Sequence, residues 1–253
     1  WHSERSGHSG YAPACANEWR EGVCEKPRVA CRDCSHRQLL PLTDAAIYGH
    51  LAGEQTLGLY PLLENDHCFL LAVDFDEQDW RDDARAFWRS CKELEVQAAL
   101  EISRSGQGAH VWVFFEEAVS AREARQLGAA LISHTCSSTR QLELSSYDRL
   151  FPNQDTLPKG GFGNLIALPL QKEARQRGCS VFVDEDLRPY SDQWAYLASL
   201  QRLPVAALQT VIQGAFILAK SQAPDAAADL AREAIGHLRH YFELLFNAGS
   251  DEE

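Results

Sequence analysis

The stretch CFLLAVDFDEQDW, Cys68 to Trp80, decides how this chain reads. It is an apolar run that ends in two carboxylates, Asp74 and Asp76, one residue apart. In a strand, residues i and i+2 point to the same face. Both carboxylates therefore leave a sheet on one side, with Phe69, Leu71, Val73 and Phe75 on the other. Two acids at the end of a buried strand are costly unless a positive charge sits between them. A divalent cation is the simplest candidate.

Working outward, the strand is followed by a predicted helix in which Trp80, Ala84, Phe87, Trp88, Cys91 and Leu94 recur at 3.6-residue spacing. AALEIS (98–103) reads as a strand, SRSGQGA as a tight glycine-bearing turn, and HVWVFF (110–115) as a second strand. Ser120 opens a helix with a capping box to Glu123, and Ala124, Leu127, Ala130 and Leu131 mark its buried stripe. The order strand, helix, strand, strand, helix needs one more strand to complete a split β-α-β arrangement, as in ferredoxin-like and RRM-like folds. The fold class is α+β. In that topology the first and third strands are antiparallel neighbours. The end carrying Asp74 and Asp76 then lies beside the start carrying His110, with the turn Ser105–Gly108 at the same rim.

After Thr139, SSYDRLFPNQDTLPKGGFGNLIALPLQ (145–171) adds two acids, Asp148 and Asp155, the loop KGGFG (159–163) and a predicted strand over 164–170. KGGFG lacks the Gly-Lys-Ser/Thr ending of a P-loop. It reads equally as a flexible connection or as a phosphate contact. Residues 181–183 form a short strand, 192–203 start a helical region, and 205–246 read as mostly helix with a break near Pro224. The acidic end GSDEE reads as disordered.

Ahead of the core, residues 1–14 are polar and loose, and a cysteine cluster follows. Cys15, Cys24, Cys31 and Cys34 are separated by eight, six and two residues. The tight Cys31–Cys34 pair resembles a zinc knuckle, and the other two thiolates close a tetrahedral Zn²⁺ site. Four thiolates leave no open coordination position, so the role is structural. Lys26, Arg28, Arg32 and Arg37 give this segment a basic face, either for a phosphate backbone or simply solvated. Thr43 caps a helix through His50; His50 and His67 read as packed or surface residues rather than ligands. The expected organisation is a zinc-knuckle segment (1–40), a catalytic core (41–195) and a helical C-terminal region (196–253).

The chain has 253 residues, 45% hydrophobic and 24% charged, ordinary values for a globular protein. No run approaches the roughly 18 apolar residues of a membrane span. No export signal is visible, which favours reduced thiols and a cytoplasmic setting. The chain contains no methionine and is expected to be an excised or processed piece. A net charge of −12 argues against a nonspecific nucleic-acid coat. It leaves room for an enzyme that neutralises phosphate with metal in a local groove.

Phosphoryl and nucleotidyl transfer need carboxylates that hold divalent ions, and oxygen ligands suit Mg²⁺ or Mn²⁺. Asp74 and Asp76 meet that need. His110 is placed to donate to a triphosphate oxygen, and Arg104, Ser105 and the amides of the glycine turn to cradle the remaining charge.

In combination, LAVDFD, SRSGQGAHVWVFF and SYDRLFPNQD with GGFGNLIALPLQ resemble the three motifs of the archaeo-eukaryotic primase superfamily. The nearest branch is that of TOTE conflict systems and CRISPR-associated primase-polymerases, whose members also carry a cysteine knuckle. The resemblance spans roughly residues 11–200. It implies an RRM-like core and template-directed nucleotide addition from nucleoside triphosphates on a DNA template, with a DNA or RNA primer. It also implies a place in a larger polypeptide or conflict system. By resemblance Asp74 and Asp76 bind the catalytic metal, and His110 binds nucleotide. Asp155 is the third acid with Asp148 as runner-up. Arg104, Ser105, Gly106, Gly108 and Asn164 complete the nucleotide set. Gly108 stands where many relatives carry Ser. Two other readings are a metal-dependent nuclease using the same acids and a noncatalytic RRM-like, zinc-bearing nucleic-acid-binding module.

Overall fold

The Cys68–Trp80 stretch is a strand that runs into a helix, and the rest of the chain is built on it. A computed structural model of the protein describes residues 10–138 and 144–222. After a 3-10 turn at Cys31–Asp33 come α1 (Asp44–Ala52), β1 (Gly58–Leu59), β2 (His67–Phe75), α2 (Trp80–Glu93), β3 (Ala99–Ile102) and β4 (Ala109–Ser120). They are followed by α3 (Ala121–Ser138), β5 (Tyr147–Phe151), β6 (Ile166–Ala167), α4 (Lys172–Gln176), β7 (Val181–Val183), α5 (Gln193–Ser199) and α6 (Val205–Gln222). The expected helix beyond Gln222 and its break at Pro224, the acidic end, and the first nine residues lie outside the described residues.

Five strands form one sheet in the order β5-β2-β4-β3-β7, every neighbouring pair antiparallel. Strands β2, β3, β4 and β5 with helices α2 and α3 follow the β-α-β-β-α-β order, and β7 extends the sheet beside β3. The fourth strand of that pattern is Tyr147–Phe151, not 164–170. Of the latter stretch only Ile166–Ala167 is strand, and it pairs with β1 in a separate two-stranded sheet. The alternation of Leu165–Leu170 is broken by Pro169, which has no N–H for a ladder.

Helices α2 and α3 cover one face of the sheet. Phe75 meets Phe87 of α2 at 5.6 Å between ring centroids. Gly128 of α3 lies against Leu150 and Leu71, so close that a Cβ there would be 2.9 Å from a Leu150 methyl. The capping box expected at Ser120 is formed: Ser120 Oγ donates to Glu123 Oε2 at 2.7 Å, and Glu123 N donates back to Ser120 Oγ at 3.2 Å. Thr43 caps α1, its Oγ1 accepting from Ala46 N at 3.2 Å. Leu71, Val73 and Phe75 are fully buried, but Phe69 is 53% exposed. A register shift between Cys68 and Leu70 takes Phe69 out of the alternation that sequence periodicity assigns to it.

Residues beyond 195 also belong to this packing. Leu203 N donates to Phe114 O, Glu116 N donates to Leu203 O, and α6 lies along α3 with Leu208 fully buried.

Candidate active site

The sheet face away from α2 and α3 carries a row of charged side chains. Register pairs Arg149 (β5) with Asp74 (β2), Asp74 with His110 (β4), and His110 with Glu101 (β3). Directly opposed residues in an antiparallel ladder point to the same face. The register puts Asp74 and His110 on one face, and Asp76, just past the end of β2, brings a carboxylate oxygen within 4.8 Å of one on Asp74. His110 Nε2 lies 3.4 Å from Asp74 Oδ1.

The third acid arrives by a bulge. Val73 pairs with Leu150 and Asp74 with Arg149, but Phe75 pairs with Tyr147, which leaves Asp148 as an extra residue in β5. Such an inserted residue escapes strict alternation. Asp148 thus joins Asp74 and Asp76, and ligand oxygens of the three lie within 4.8 Å of one another. Arg149 Nε donates to Asp148 Oδ2 at 2.5 Å. Asp155, the acid expected from the third motif, lies elsewhere: it is ion-paired with Arg125 and, at 3.5 Å, with Arg122 on α3.

A carboxylate anchors the bulge from below. Asp83 of α2, 1% exposed, accepts from Ser146 N at 3.0 Å and from Ser146 Oγ at 2.7 Å. Asp76 N donates to Ser146 O at 2.8 Å, so one serine ties β2 to the entrance of β5. Sequence reading passed over Asp83 because it stands among the charges of an amphipathic helix. Its position on the Trp80–Ala84–Phe87 stripe was the available signal.

The acids are held at an electrostatic cost. Asp74 is 8% exposed and its Oδ1 is buried without a hydrogen bond. Burial, with Asp76 and Asp148 adding to it and His110 opposing, pushes its pKa up to about 6. Burial also opposes charge on His110, but the carboxylates of Glu101, 3.0 Å away, Asp74 and Asp76 together outweigh it, and the pKa lies above the ordinary imidazole value. An orphaned carboxylate oxygen facing two more carboxylates is a donor set that suits a hard divalent cation.

The glycine turn sits at this rim and is internally bonded. Ser105 Oγ contacts Ser103 Oγ at 2.9 Å and accepts from Gln107 N at 3.1 Å, and Gly106, at φ +76°, donates to Ser103 O. The Gly106 and Gln107 amides are therefore committed within the turn. Arg104 is exposed and reaches Tyr11 Oη at 3.4 Å. A Cβ at Gly108 would stand 2.3 Å from Asp76 Oδ1 and 2.6 Å from Phe75 O, so a serine there would displace the second acid. Asn164 is not at the acids: its Nδ2 donates to Leu150 O at 3.0 Å and its Oδ1 accepts from Asn153 N at 3.3 Å. His50 is a packed residue, its ring nitrogens meeting Leu57 N and Pro169 O.

All four N-terminal cysteines line one small cavity together with Lys26, and none is in a disulfide. Gln38 N donates to Cys15 Sγ at 3.3 Å. Among the described residues the acid triad is the one group of three donors within 4.8 Å, so the thiols converge without reaching that separation. Their chemistry fits zinc. The KGGFG loop docks this segment: Arg37 Nη1 donates to Gly160 O at 3.0 Å and the guanidinium lies 4.7 Å above the Phe162 ring.

A five-stranded sheet thus presents three clustered acids beside a histidine, a group that could hold a divalent cation. The family model "TOTE conflict system, Archaeo-Eukaryotic Primase domain" matches residues 1–211, and the chain belongs to that family. Membership points to primase-type chemistry on nucleotides and nucleic acid. Comparison with curated proteins gives no match. Among the described residues no helix is long and apolar enough to cross a membrane.

Proposed function

We propose that this domain is a primase-polymerase. It transfers nucleotides from ribo- or deoxynucleoside triphosphates to a primer 3′-hydroxyl or an initiating nucleotide, directed by a DNA template. The observation that carries this reading is the convergence of Asp74, Asp76 and Asp148 beside His110. Asp74, Asp76 and Asp148 would hold Mg²⁺ or Mn²⁺, which when bound lowers the pKa of the attacking hydroxyl and stabilises the departing pyrophosphate. His110 presents Nε2 to a triphosphate oxygen, and Arg149, bonded to Asp148 and opposite Asp74, offers a guanidinium for the remaining phosphate charge. Asp155 serves α3 as an ion-pair partner. Cys15, Cys24, Cys31 and Cys34 would hold Zn²⁺, which when bound would keep the N-terminal segment in shape.

The test is primer extension with template, nucleotides and Mn²⁺. Wild-type protein extends the primer, Asp74→Ala and Asp148→Ala do not, and Asp155→Ala does. Absence of product from folded, metal-loaded protein, or degradation of the DNA instead, contradicts the proposal; the latter favours a nuclease.

A further inference from the structure

Strand β3 carries a carboxylate that the proposed chemistry does not use. Glu101 lies in the middle of AALEIS, between His110 on β4 and Phe182 on β7, and is 1% exposed. A carboxyl group so far from water is costly unless its oxygens are hydrogen-bonded. Oε2 accepts from Trp112 Nε1 at 2.7 Å and lies 3.0 Å from His110 Nδ1. Oε1 lies 3.3 Å from Ser180 Oγ, which donates to it.

Hydrogen-bond accounting settles which atoms donate. An indole N–H is a donor only. Ser180 Oγ already accepts from Leu170 N at 3.1 Å, which leaves its own hydrogen for Glu101. Both oxygens of Glu101 are thus acceptors, and the hydrogen on the His110 contact belongs to Nδ1. A ring flip would replace that N–H with a carbon and break the bond. The opposite nitrogen, Nε2, is then the atom that faces Asp74.

We propose that Glu101 is a positioning residue: it fixes the ring orientation and the Nδ1–H tautomer of His110, so that Nε2 is the nitrogen offered to the acid site. Glu101 touches neither the acids nor a substrate and acts through His110. To meet a triphosphate oxygen Nε2 must itself carry a hydrogen, as in the imidazolium; that contact rests on the function proposed above, and the Nδ1–H does not.

Long-range proton–nitrogen NMR of ¹⁵N-labelled protein in mildly alkaline buffer tests the assignment, with the His110 signals identified by their loss in His110→Asn. Wild-type protein shows a hydrogen on Nδ1. Glu101→Leu, which leaves Nδ1 without an acceptor, loses it, and the KM for nucleotide rises about 10-fold, as for other residues that orient a working histidine. Trp112→Phe, which removes a donor but no acceptor, keeps Nδ1 protonated. Wild-type Nδ1 without hydrogen overturns the proposal even if no variant folds. So does Glu101→Leu with tautomer and KM both unchanged. If the tautomer behaves as stated but wild-type protein binds no nucleotide, the positioning role stands and the polymerase reading falls.

Discussion

Asp74 sets stability against chemistry at a single residue. Its buried Oδ1 has no hydrogen bond and faces two other carboxylates. Without a cation, removing that charge relieves the fold, so Asp74→Asn is expected to raise the stability of chelator-treated protein by about 1 kcal/mol while abolishing primer extension. Thermal melts in EDTA check this; a lower melting temperature than wild type would count against the electrostatic account. Gly108 is the second such residue. Gly108→Ser would place its Cβ 2.6 Å from Phe75 O and 2.3 Å from Asp76 Oδ1. Displacing Asp76 by about 1 Å should lower kcat/KM about 100-fold with little change in secondary structure. Steady-state kinetics alongside circular dichroism measure both, and a fully active Gly108→Ser would show that Asp76 has room the structure does not give it.

At the scale of the elements, β2 and β4 were legible because their signals agree. An apolar run, a capping box and a glycine turn all point to one topology, and that topology places His110 beside Asp74. The third acid was legible only as a choice between Asp155 and its runner-up Asp148, and the structure brings Asp148 to the other two. Strict alternation along YDRLF separates Asp148 from Arg149, and only the bulge brings both to the acid side of β2. A one-residue bulge leaves little trace in composition, so Asp155, better spaced from Asn164, took the role on resemblance. Glu101 was missed for another reason: its partners are 9, 11 and 79 residues away, beyond any local pattern. The bulge also makes a prediction. Asp83→Ala removes Oδ2, the one acceptor of both Ser146 N and Oγ, and leaves those donors buried. The expected loss is about 1–3 kcal/mol in urea denaturation, with activity falling as Asp148 loses its anchor. Unchanged stability would mean that the bulge is held by other contacts.

Across the whole molecule, the cysteine segment and the sheet meet through the KGGFG loop, by Arg37 on Gly160 and Phe162. One glycine of the loop is explained by this docking: Gly160, at φ +73°, would carry a Cβ 2.7 Å from Arg32 O. Purified protein is expected to contain about one zinc per chain, reduced in Cys31→Ser. Thiol alkylation gives an independent view. Cys68 and Cys91 are fully buried, and burial pushes the Cys68 thiol up to about 12 and that of Cys91 higher still. Both should stay unlabelled in native protein, while chelation exposes the four N-terminal thiols to reagent. Labelling of those four without chelator, and no zinc by elemental analysis, would remove the metal from this segment.

The most direct test of the central claim is a crystal of the protein with Mn²⁺ and a nonhydrolysable nucleoside triphosphate, the metal located by its anomalous signal. The account predicts manganese bound by Asp74, Asp76 and Asp148, with the triphosphate against His110 Nε2. Manganese at Asp155, or a triphosphate bound away from His110, would contradict it.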